Sequence, residues 1–222
     1  PFQLNLPVVP ITDLHIKNND LIVGTQGRSI YILDDLSVVQ QLNNTVANNS
    51  LYVFQPAPAY RMQGRGGFFG RGGQALRNAG MNPPNGVAIS YYLKEVTDST
   101  KLTVTVLDKN HSVIKTFATD SKENKIDINS GLNQFVWNMN YPDAERIPEG
   151  MIIWNGNVNG PKAIPGTYYA RFKTGKDSAE TSFTIIADPN YKVNQQEYEE
   201  QLSFLLTARD KFSETLKTLK GI

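Results

Sequence analysis

The chain predicts a mainly β protein: an immunoglobulin-like β-sandwich preceded by a β-propeller-blade remnant and followed by a C-terminal α-helix. Three observations carry that prediction. Short alternating segments recur between glycine, proline and asparagine turns over residues 86–189. A compact strand–turn–strand–turn–strand unit occupies Asp13 to Leu36. After Asp188-Pro189 the apolar period changes from two to between three and four.

Composition agrees with this class. The 222 residues suffice for one or two domains with a real core. Charged residues make up only 19%, against 17 Gly and 12 Pro, which is turn-rich β chemistry rather than a helical or disordered chain. A net charge of +1 supplies no global field toward nucleic acid or anionic membrane. Zero cysteines exclude a disulfide scaffold and a cysteine-ligated zinc site. No apolar run approaches the roughly 20 residues of a membrane span. The chain opens on Pro1 rather than Met, so an upstream segment is expected.

Residues 1–55 read as the tail of a propeller. Leu14 and Ile16 alternate, Asn18-Asn19-Asp20 turns, Leu21 and Val23 return, and Gly27 precedes a third strand, Ser29 to Leu33. One blade cannot bury both its faces, so this piece should lean on a neighbour or miss one. Ser37 to Leu42 is a short helix or turn, Asn43 to Ser50 a polar spacer carrying two glycosylation-type sequons, and Leu51 to Phe54 a brief strand. Residues 56–85 form a Gly/Arg/Pro-rich loop, expected to be mobile. Residues 86–189 carry the sandwich strands: Val87–Leu93, Lys101–Leu107, Val113–Phe117, Ile126–Ile128, Gln134–Met139, Tyr168–Lys173 and Glu180–Ile186. Asp108 to His111 and Gly175 to Asp177 are the hairpin turns. Residues 190–222 form the helix, with Asn194 as N-cap and Glu197 three residues on. Its stripe of Tyr198, Leu202, Leu205, Phe212, Leu216 and Leu219, with Arg209 on the same face, is still apolar at Ile222. Such a helix calls for a second helix or another chain.

Three segments in this order resemble the C-terminal portion of bacterial sortilin-type, BNR-repeat glycosyl hydrolase-like proteins. They are PVVPITDLHI with DLIVGTQGRSIYILDDL; NPPNGVAISYYL with GLNQFVWNMNYP and PGTYYARF; and ADPN followed by QQEYEEQL. The Gly-x-Asn-x-Phe-x-Trp pattern of Gly131 to Trp137 is similar to the immunoglobulin-like domain of flagellar hook-capping proteins. The resemblance implies a larger extracytoplasmic protein, periplasmic, outer-surface or secreted, with a propeller before this segment. It departs at Gln26, where the family usually has His, and the Asp-box pattern is missing, so sialidase-type chemistry is not carried over.

Candidate sites follow from residue type. Glycoside hydrolysis needs two carboxylates roughly 5–9.5 Å apart. Asp34-Asp35 and the Asp143/Glu145/Glu149 group are the pairs near loops, but an acidic pair at a strand end more often caps a turn, and no catalytic residue is assigned. His15 and His111 stand in no metal-spaced motif, so neither a metal nor a cofactor is expected. The Gly64 to Gly73 stretch, flanked by Arg61 and Arg77, imitates an RGG box; a docking loop outweighs single-stranded nucleic-acid binding. The aromatics remain. Trp137 and one of Tyr168 and Tyr169 should be core, whereas Trp154, Tyr141 and Tyr92 are the candidate ligand-binding residues, because sugar rings stack on exposed aromatic faces. The expected function is a non-catalytic accessory or interaction module packed on its parent propeller, with self-association through the helix. The alternative is a carbohydrate-binding module of a polysaccharide-degrading hydrolase.

Overall fold

The computed structural model describes residues 6–62, 84–146 and 158–220. Three antiparallel strands come first: β1 (Ile11–Lys17), β2 (Asp20–Thr25) and β3 (Ile30–Leu33), paired in that order. Asn18 and Asn19 turn β1 into β2 with both φ angles positive, at 52° and 69°, which asparagine tolerates because its side chain bonds locally. Asn19 then donates to Asp35 and Ser37 at 2.9 and 3.0 Å, tying this turn to the exit of β3. Two helical turns follow, α1 (Ser37–Gln41) and α2 (Asn44–Asn48). The second lies within the expected polar spacer. Asn43 caps it by accepting from the Thr45 and Val46 amides, a local competition for backbone donors that a composition count does not register.

The remaining strands build two sheets with one core. The smaller has the order β4 (Leu51–Val53), β6 (Val87–Leu93), β9 (Gly131–Trp137). The larger has the order β5 (Ala59–Arg61), β11 (Asp177–Ala187), β10 (Gly166–Thr174), β7 (Leu102–Leu107), β8 (Val113–Ala118). Every pairing is antiparallel except β5 on β11. Alternation places Val87, Ile89, Tyr91 and Leu93 of β6 inward, facing Leu102, Val104 and Val106 of β7 and Phe172 of β10. Trp137, fully buried, meets Tyr168 and Phe183 of the opposite sheet at ring separations of 5.8 Å, and Tyr91 meets Phe172 at 5.0 Å. At roughly 25 cal/mol per Å² of apolar surface buried, these aromatics are the largest single contributions to the core.

Differences from the expected strands are local. Ile126–Ile128 is not a strand; only an isolated bridge joins Ala118 to Lys125. The core also takes in β4 and β5, which lie before residue 86, because each finds its partner far along the chain, β4 on β6 and β5 on β11. Trp137 and Tyr168 are core, while Tyr169 lies on the outer face of β10, stacked on His111 at 4.1 Å. The Tyr168 hydroxyl donates to the Ile164 carbonyl at 2.9 Å, pinning the turn that leads into β10.

The helix α3 (Gln195–Lys220) runs 26 residues, about 39 Å at 1.5 Å per residue. Its start is a reciprocal capping box: the Glu197 amide donates to Asn194 Oδ1 and the Asn194 amide to Glu197 Oε2, both at 2.9 Å. Tyr198 and Leu216 are buried. Arg209 donates to the Pro142 carbonyl at 3.2 Å, and Ser213 Oγ accepts from the Glu145 amide at 3.0 Å. One side of the helix therefore lies on the sandwich. Phe204, Leu205, Phe212 and Leu219 remain exposed beside that side.

Candidate functional site

Asn138, Met139 and Asn140 make a sharp corner after β9. Met139 has φ 64°, a conformation that side chains rarely adopt, and is held there by full burial and by the Ala163 amide on its carbonyl at 2.6 Å. The Trp137 indole donates to the Asn140 carbonyl at 3.2 Å. The next residue, Tyr141, is fixed by its amide on the Pro161 carbonyl at 2.9 Å. Gly160 lies against it so closely that a Cβ there would sit 2.0 Å from the Tyr141 carbonyl oxygen. A core tryptophan, a strained methionine and a glycine contact thus aim one tyrosine.

Tyr141 lines a groove of about 410 Å³ between α3 and the sandwich, within the range of small-ligand clefts. Asp108 and Lys109 form one lip, and Gln195, Glu199 and Ser203 of α3 the other. The turn is well built: Asp108 Oδ1 accepts from the Asn110 and Ser112 amides, both at 2.8 Å. Lys109 approaches Glu199 at 4.0 Å and Gln195 donates to the Pro165 carbonyl at 3.2 Å, bridging helix to sandwich. Burial, and then the Asp108 carboxylate, push the Tyr141 phenol above its ordinary pKa, with Arg209 opposing. Tyr141 therefore stays a neutral hydrogen-bond donor at physiological pH.

The other sequence candidates lie elsewhere. Tyr92 sits on the outer face of the smaller sheet, in register with Tyr52 and Leu132, so it shares no surface with Tyr141. Trp154 and Glu149 lie outside the described residues, as does the Gly64 to Gly73 stretch. Asp35 caps a turn, accepting from the Ser37 amide at 3.0 Å and from the Ser37 hydroxyl. Asp143 is likewise structural, accepting from the Gly160 amide at 3.0 Å and from Arg146 at 3.4 Å. Among the described residues no three His, Cys, Asp or Glu side chains gather as metal ligands. No helix among them is long and apolar enough to cross a membrane. Asp108, Gln195 and Glu199 line the same groove as Tyr141; the Asp-Lys-Asn-His turn is legible in the sequence, but its approach to α3 is not.

Fold and groove together define a mainly β protein with several sheets and a C-terminal helix. Comparison with protein-family models, curated proteins and solved structures returned no match.

Proposed function

We propose that this chain is a non-catalytic accessory and interaction module belonging to the C-terminal end of a large bacterial extracytoplasmic β-propeller protein. The observation that carries the reading is the β1–β2–β3 sheet, which exposes apolar side chains on both faces. Leu14 and Ile16 are exposed on one face, in register with Val23 and Leu21; Ile30 and Ile32 are exposed on the other. A solvated antiparallel sheet keeps one face polar, whereas a propeller blade is covered on both. α3 adds the exposed strip of Phe204, Leu205, Phe212 and Leu219, suited to a partner segment or a second copy.

Strand order supports an immunoglobulin-like sandwich between these two surfaces. The first sandwich strand is split between sheets, with β4 antiparallel to β6 and β5 parallel to β11. The Tyr168 hydroxyl, reaching back four residues to Ile164, has the form of the tyrosine corner of such domains, with buried Ala170 two residues on where they carry a cysteine.

Hydrogen exchange and hydrophobic-dye binding on the chain alone test the docking role. Amides of β1–β3 should exchange far faster than those of β6, β7 and β10, and dye binding should fall in the Leu14→Asp/Ile32→Asp double variant. Equal protection of both sheets with no dye binding would end the reading. A second reading, carbohydrate binding, is favoured by Tyr141 in its groove. Saccharide-array binding lost in Tyr141→Ala would support it, and binding unchanged in that variant would remove the groove from consideration.

A further inference from the structure

Among the described residues the sandwich has four edge strands, and three of them carry a guard against pairing with another chain. β4 and β5 are only three residues long, and β5 ends on Arg61. β8 carries Lys115, and its ladder on β7 is broken by a bulge at Val106–Leu107. β9 has none of these devices. It runs seven residues in unbroken register with β6, from Gly131 against Leu93 to Trp137 against Val87. The sequence holds no charged residue and no proline from Ile128 to Tyr141.

The hydrogen-bond phase of the smaller sheet fixes which groups of β9 face outward. The Phe54 amide donates to the Ser90 carbonyl and the Lys94 amide to the Ser50 carbonyl, both at 3.0 Å, so the even positions of β6 bond toward β4. The odd positions Ile89, Tyr91 and Leu93 therefore bond toward Phe135, Asn133 and Gly131 of β9. That leaves the amides and carbonyls of Leu132, Gln134 and Val136 directed at the open edge, with no partner among the described residues. The side chains of the same three residues stand on the outer face, where Leu132 is 59% and Val136 39% exposed. Beside them lie Ala88, Ser90 and Tyr92 of β6, so this face is uncharged as well.

We infer that β9 pairs antiparallel with β9 of a second copy of this chain, about a two-fold axis through Gln134, joining the two smaller sheets edge to edge. The strand is complementary to itself in that register. Leu132 of each copy lies opposite Val136 of the other, and the two Gln134 amides, each both donor and acceptor, meet on the axis. A charge at this position would face its own copy, and none is present. An unrelated strand could use the same backbone groups, but the Leu–Val and Gln–Gln matches are supplied by the chain itself. The contact uses neither the β1–β2–β3 sheet nor α3, so it stands apart from the docking role proposed above.

The contact is small, so association is weak and is followed on the whole chain between about 10 µM and 1 mM. Sedimentation equilibrium should show monomer passing to dimer over that range. Amide hydrogen exchange locates the contact: Leu132, Gln134 and Val136 should exchange fast when dilute and severalfold slower when concentrated. Asn133 and Phe135, bonded to β6, should be slow at both concentrations. Leu132→Lys/Gln134→Lys gives β9 the kind of guard that β8 has, and should weaken the dimer about tenfold or more while the dilute chain melts as wild type. If that variant does not fold, the isosteric Gln134→Glu should weaken the dimer too, by placing like charges on the axis. Phe212→Glu, in the exposed strip of α3, should leave the dimer intact. A chain still monomeric at about 1 mM, a dimer that the β9 variants leave unchanged, or a dimer abolished by Phe212→Glu would overturn the inference.

Discussion

Replacing Tyr168 by Phe removes one oxygen and leaves the ring packed between Trp137 and Phe183, 5.8 Å from each. The lost interaction is the 2.9 Å bond to the Ile164 carbonyl, which holds the turn into β10. A neutral hydrogen bond contributes about 0.5–1.5 kcal/mol, and a carbonyl left without its donor adds a penalty of about 1–3 kcal/mol if water cannot reach it. Tyr168 is 5% exposed and its partner lies at a loop, so the expected loss is about 1–3 kcal/mol. For a protein of this size that lowers Tm by roughly 2–12 °C. Urea unfolding followed by tryptophan fluorescence, to which the core Trp137 contributes, gives the free energy directly, and the m-value should be unchanged. Tyr169→Phe is the control, since that ring lies on the outer face against His111. If Tyr168→Phe unfolds at the wild-type midpoint, as Tyr169→Phe should, the bond to Ile164 is not holding the turn into β10 and the argument fails.

Other outcomes follow from the same geometry. Trp137→Ala, in the fully buried centre of both sheets, should cost about 3–5 kcal/mol and is best measured by circular-dichroism melting, since it removes one of the two tryptophans. Gly160→Ala should destabilise, because its Cβ would lie 2.0 Å from the Tyr141 carbonyl oxygen; a melting curve matching wild type would contradict that contact. Glu197→Ala should lower stability by about 0.5–1 kcal/mol and speed amide exchange at the start of α3, leaving β-sheet amides unaffected. Burial raises Tyr91 to about 12 and raises Tyr168 further, from an ordinary 10.0. Both bind their protons more tightly when folded, so their contribution is fully present below pH 10 and is lost as pH rises through the folded values. Melting curves between pH 8 and pH 12 should show that alkaline fall, reduced in Tyr91→Phe.

Much of this architecture was legible as periodicity. Val87 to Leu93 and Leu102 to Leu107 alternate so strictly that their buried faces follow from the pleat alone. The α3 capping box is a pattern of four consecutive positions, and the Asn18-Asn19 and Asp108 to His111 turns are similarly local. The alternation of Leu14, Ile16, Ile30 and Ile32 is local in the same way, and all four are exposed on the β1–β2–β3 sheet. Tyrosine and tryptophan as ligand candidates came from residue type, which cannot separate Tyr141 in its groove from Tyr92 on the outer face of the smaller sheet.

What the chain alone determined was therefore the longer strands, their turns and the C-terminal helix, since each depends on residues within a few positions of one another; Ile126–Ile128, expected as a strand, and β5, within the expected loop, were not. Only the tertiary structure decided which strands share a sheet: β5 joins β11 across more than a hundred residues, and no local period encodes that choice. The same holds for the contacts of α3. Tyr141 meets Gln195 and Glu199, and Arg61 meets Tyr198, only because α3 folds back on the sandwich, and such encounters depend on packing rather than pattern.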